Sequence, residues 1–196
     1  SFSFPVVADD GGRRVLYAGL GGGHLVAVDA RTGQPLWRFQ MAVGGVNSSA
    51  LLFEDSIIAI HGKDNLDASA IGRMISLPRA PWAALGAESI VREPGEENWR
   101  ADLTAFTSSP VLWGGRVYQT VLTGDLVCVD AKTGARKWEI KLAPSQIHAS
   151  PVAADGKLYV PMENGSLHVV RPGDTEATIL HTEQLEGNCL GAPAIA

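Results

Sequence analysis

The sequence has 196 residues, 45% of them hydrophobic, and a formal net charge of -5 from 16 Lys and Arg against 21 Asp and Glu. That length allows one domain or two with a real core, and the absence of any basic run argues against a nucleic-acid partner. No stretch approaches 18 consecutive apolar residues, so no membrane-spanning helix is expected.

The opening "SFSFPVVADD" has neither an initiator Met nor the basic-then-apolar order of a signal peptide, as in a processed or excised piece. From Pro5 onward the chain reads as short alternating segments separated by glycine turns, ending in "DARTGQPLWRF" at residues 29–39. "GLGGGH" at residues 19–24 lacks the third glycine of a phosphate loop, since His24 stands there, and it precedes a strand pattern. It reads as a hairpin turn.

A second unit begins near Ala50 and carries extra length. "HGKDNLDASAIG" extends its middle turn, and Asp64 and Asp67 within it lack the alternating ligand series of a calcium loop. "PRAPWAALGAESIVREPGEENW" then replaces a short turn. Pro81 suits a first helical position, and Trp82, Leu85 and Ile90 make one apolar side before Pro94 and Gly95, so a short helix or lid is expected. Trp82, Leu85, Ile90 and Trp99 are candidate interaction residues of this insertion, approximately residues 78–98. The alternative is that the insertion only covers a strand edge.

The third unit contains four strand-like segments, "SSPVLWGG", "RVYQTVL", "GDLVCVDA" and "ARKWEIKL", and repeats the earlier motif as "DAKTGARKWEI" at residues 130–140. The fourth runs from Pro151 through "GSLHVVRP" and has neither the Asp nor the Trp of that motif. "GAPAIA" then starts another unit. Anchors at Pro5, Ala50, Pro110, Pro151 and Pro193 recur about every 41 to 45 residues, apart from the interval that holds the insertion.

Four short strands in each repeat of this length predict an all-β fold, a β-propeller of four-stranded antiparallel blades. The blades fall at approximately 3–47, 48–107, 108–148 and 149–190, with residues 191–196 as the first strand of a fifth. The whole of 1–196 is thus a single propeller segment, about four blades of a larger ring. In the recurring turn, Asp29 and Asp130 accept amide hydrogens, Thr32 and Thr133 add hydroxyls, and Gly33 and Gly134 supply positive φ. Trp37 and Trp138 on the last strand are expected to cover the gap to the neighbouring blade.

These two stretches, "AVDARTGQPLWRF" and "CVDAKTGARKWEI", resemble the tryptophan-docking motif of PQQ-like propeller repeats, the superfamily of quinoprotein alcohol dehydrogenases and outer-membrane assembly lipoproteins. The resemblance implies a closed ring of eight, occasionally seven, blades, and a periplasmic or secreted location in a bacterium. In the dehydrogenases of that group, PQQ lies at the ring centre with calcium, under a disulfide of adjacent cysteines. Here Cys128 and Cys189 are far apart in sequence and fit no zinc or redox spacing, so they read as unpaired.

His24, His61, His148, His168 and His181 are scattered, and no serine, histidine and aspartate spacing picks out a triad. No catalytic residue, metal site or cofactor is therefore expected. The leading expectation is a non-catalytic binding scaffold for a protein or an extracellular ligand, with self-association to complete the ring as an alternative to a fragment. A PQQ- and calcium-dependent dehydrogenase fragment and an extracytoplasmic sensor domain are the alternatives in function.

Overall fold

Alternating apolar residues turn nearly the whole chain into strands. In the computed structural model, which describes residues 3–195, these residues contain strands and turns but no helix. The first blade is an antiparallel meander of β1 (Val6–Asp10), β2 (Arg13–Gly19), β3 (His24–Asp29) and β4 (Pro35–Gln40). In the second, β5 (Leu51–Phe53), β6 (Ser56–Asp64) and β7 (Ile71–Pro78) precede the insertion. A short β8 (Ile90–Arg92) lies inside the insertion, and β9 (Trp99–Ala101) completes the blade against β7.

The third blade is β10 (Val111–Trp113), β11 (Arg116–Thr120), β12 (Asp125–Asp130) and β13 (Arg136–Lys141). The fourth is β14 (Val152–Ala154), β15 (Lys157–Pro161), β16 (Ser166–Pro172) and β17 (Ala177–Gln184). This is an all-β, partial β-propeller. Residues 191–195, expected to open a fifth blade, join none of the four sheets.

The core lies between blades rather than inside one of them. Because side chains alternate across a sheet, Val117, Val127 and Val129 of the third blade pack with Ile58, Ile60 and Met74 of the second. Their neighbours Tyr118, Leu126 and Cys128 pack instead with Leu158, Val160 and Val170 of the fourth. A similar cluster joins Tyr17, Leu25 and Trp37 to Ile57, Ile75 and Leu77 across the first two blades.

The insertion follows the second of its two sequence expectations and covers a strand edge. It forms neither helix nor lid: β8 joins the first blade as a fifth strand, parallel to β4, with Trp37 opposite Ile90 and Phe39 opposite Arg92. The physical reason is competition for backbone groups. Long-range partners take the polar groups a helix would need: Ala83 N–H donates to Leu36 O at 3.3 Å, the Gln34 amide donates to Ala84 O and Ala87 O, and Arg13 donates to Ala83 O.

Candidate functional site

Two arrangements recur at blade level, one on the outer strands and one on the propeller axis. On the outer strands, Asp29 Oδ1 accepts from Arg31 N–H at 3.0 Å, Thr32 N–H at 2.9 Å and the Thr32 hydroxyl at 3.0 Å. Asp130 repeats this with Lys132 and Thr133 at 3.1, 2.9 and 3.0 Å. The Thr32 amide is the main influence holding the Asp29 carboxyl below its ordinary range.

Each turn positions a tryptophan that donates across the gap between blades. Trp37 Nε1 donates to Arg79 O at 2.8 Å and Trp138 Nε1 to Gly173 O at 3.0 Å. Tyr17 and Tyr118 stand beside them in tilted ring pairs with centroids 5.9 and 5.7 Å apart. Burial pushes the Tyr118 phenol up to about 12 and the neighbouring Cys128 thiol up to about 11, so that cysteine is a packing residue rather than a nucleophile.

Three of the four residues expected in an interaction insertion, Trp82, Ile90 and Trp99, take part in packing. Trp99 pairs with Ser76 at the register that Trp37 holds opposite Ala27 and Trp138 opposite Cys128. It is the docking tryptophan of the second blade, buried, with Nε1 donating to Ala131 O at 3.1 Å. Its ring lies so close to Gly134 that a Cβ there would come within 2.6 Å of it, so that glycine is required for close approach as well as for its φ of 74°.

Trp82 donates to the Tyr17 hydroxyl at 3.3 Å, and with Ile90 it packs on the first inter-blade cluster. Leu85 alone remains largely exposed. Arg92, which sequence reasoning passed over, is buried with its guanidinium 5.2 Å from the centre of the Trp37 ring and donates to Ala80 O and Pro81 O. In the fourth blade, His181 occupies the tryptophan register opposite Val169 and is exposed.

On the axis, each blade's first residue reaches the next blade through a serine. Phe4 N–H donates to Ser49 Oγ at 2.8 Å, Ser49 N–H to Ser109 Oγ at 2.9 Å, and Ser109 N–H to Ser150 Oγ at 2.9 Å. The series stops there because Ala192 holds the next place and has no hydroxyl. These serines line a cavity of about 410 Å³, with Phe4, Thr107, His148 and Leu190 around them. The sequence signal was present, a serine directly before three repeat anchors, but it read only as a small residue.

Among the described residues, no carboxylate, lysine or arginine lines this cavity. Among the described residues no group of three His, Cys, Asp or Glu side chains is placed to hold a metal ion, and Cys128 and Cys189 are free. A quinone held over calcium needs carboxylate oxygens near the axis. The lining hydroxyls and single imidazole do not fit that group.

A family model described as outer membrane protein assembly factor BamB matches residues 87–192, just over half of the chain. The chain belongs to this family. BamB from Moraxella catarrhalis superposes with a TM-score of 0.73 at 17% identity, over 100% of this chain and 52% of that one. Quinohemoprotein alcohol dehydrogenase ADHIIG from Pseudomonas putida HK5 superposes at 0.60 and 18%, over 87% of this chain and 33% of that one.

The computationally designed Ika8 protein gives 0.66 at 10% identity, over 93% of this chain and 50% of its own. At such identities these likenesses are of fold, and the chain spans about half the length of the BamB structure. None of the curated proteins matches it. Within the BamB family, tryptophan docking here uses three indoles, one of them reached across the insertion.

Proposed function

We propose that the chain is a non-catalytic β-propeller binding module of an exported, periplasmic bacterial protein, which offers its axial face to a protein or ligand. The observation that carries this reading is the axial cavity, which combines neutral hydroxyls with apolar side chains and contains no acid–base pair. The only imidazole there, His148, is bonded to a threonine rather than to a carboxylate. The BamB family description, an outer-membrane assembly factor, supports both the location and a protein partner.

A second reading, a fragment of a PQQ- and calcium-dependent dehydrogenase, draws on the structural likeness to the quinohemoprotein. Titration of the folded chain with PQQ and calcium, followed by tryptophan fluorescence and thermal melting, separates the two. No saturable signal and no rise in Tm is the outcome expected of the binding module. A calcium-dependent rise in Tm on PQQ addition overturns it, because a ligand that prefers the native state stabilises it.

A further inference from the structure

The three axial serines each have one acceptor lone pair in use and their hydroxyl hydrogen free. Each Oγ receives a backbone N–H, from Phe4, Ser49 and Ser109 in turn. A hydroxyl that accepts still has one hydrogen to give, and among the described residues no protein acceptor takes it from Ser49, Ser109 or Ser150. Accepting an N–H also polarises the O–H and strengthens the bond it donates.

His148 completes the polar side of the cavity. The Thr107 hydroxyl lies 2.8 Å from Ile147 O and 2.9 Å from His148 Nδ1. A carbonyl only accepts, so with Ile147 taking the hydroxyl hydrogen, Nδ1–H donates to Thr107, and Nε2 is left to accept when the ring is neutral. Phe4 and Leu190, 77% and 59% exposed, supply the apolar side.

Charge decides which ligand suits this lining. An anion would lose its hydration without meeting Lys or Arg, and a cation would meet no carboxylate, so either would enter unpaired at high cost. We propose that the axial cavity binds a small uncharged molecule that presents carbonyl oxygens from an apolar body. The carbonyl oxygens accept from the Ser49, Ser109 and Ser150 hydroxyls, and an amide N–H donates to His148 Nε2. A volume of about 410 Å³ lies within the range of small-ligand sites. This inference rests on the binding-module reading and narrows it to a ligand class.

The test titrates the 196-residue chain with N-acetyl-leucinamide, followed by amide NMR shifts, with N-acetylleucine as the anionic counterpart. Saturable shifts at Ser49, Ser109 and His148 are expected, with the dissociation constant on the order of millimolar for so small a ligand. Binding should weaken about tenfold in Ser109→Ala and return to within about threefold in Ser109→Thr, as expected for one hydrogen bond lost and regained. If Ser109→Ala does not fold, His148→Ala, which takes no part in the serine series, serves instead with a similar loss expected.

The proposal is overturned by unsaturated, diffuse shifts into the tens of millimolar, by equal binding of the anion, or by a folded Ser109→Ala chain that binds as well as the parent. Any of these, with PQQ and calcium also silent, removes the ligand class and leaves the binding module standing. A calcium-dependent PQQ signal removes the parent reading itself.

Discussion

His61 illustrates how a single buried residue on this scaffold ties stability to pH. It lies in β6 opposite Arg73, fully buried, with Nδ1 accepting from Lys63 N–H at 3.3 Å and no partner at Nε2. Burial, and then the nearby Arg73 charge, lower its pKa from 6.5 to about 4. The groups that act on it are Arg73, Lys63 and Asn65, and Arg73 is in turn paired with Asp67. The folded state binds the proton less tightly than the unfolded state. Stability from this group is therefore complete above pH 6.5 and falls as pH drops toward 4, by about 3 kcal/mol at most. Urea unfolding of the parent and of His61→Gln across that window should show a steeper acid loss in the parent. Parallel curves would contradict this account.

At the scale of elements, one indole and the turn it meets add to the apolar cluster that holds a blade to its neighbour. Trp99 comes from a strand of three residues, β9, yet it fills the same place as Trp37 and Trp138 in strands of six. Truncating a buried tryptophan costs about 3–5 kcal/mol, while a phenylalanine in its place loses the N–H bond, about 1 kcal/mol, and part of the buried ring as well. Trp99→Ala is thus expected to destabilise the chain by about 3–5 kcal/mol and Trp99→Phe by about 2 kcal/mol, read from denaturant midpoints. A Trp99→Ala chain as stable as the parent would show that the second and third blades are held by something else. The parallel β8 strand acts on the other side of the second blade: it lays chain from the second unit along the edge of the first and stacks Arg92 on Trp37.

For the whole molecule, the outer strands differ in cover. Leu36, Trp37 and Phe39 of β4 are buried and β4 is capped by β8, whereas all but the first residue of the eight-residue β17 are exposed. Ile179 and Leu180 are among them, and His181 stands where the other blades carry tryptophan. An exposed strand of that length is a template for pairing with another chain. The isolated chain is expected to associate with rising concentration in sedimentation velocity, and Ile179→Lys with Leu180→Lys is expected to reduce that association. Unchanged association in the double variant would place the contact elsewhere.

The repeat by itself determined the class of fold, because strands, turn glycines and the Asp-Thr-Gly-Trp turn are local and recur in order along the chain. What lay beyond sequence reasoning crosses blades. Trp99 could not be matched to its hairpin because the insertion stands between it and Ser76, and the expected helix at Pro81 gave way to long-range bonds with Leu36, Gln34 and Arg13. The serine series joins residues 45, 60 and 41 positions apart. Only the stacking of blades about one axis brings those hydroxyls together with His148, and that juxtaposition, rather than any motif, makes the cavity.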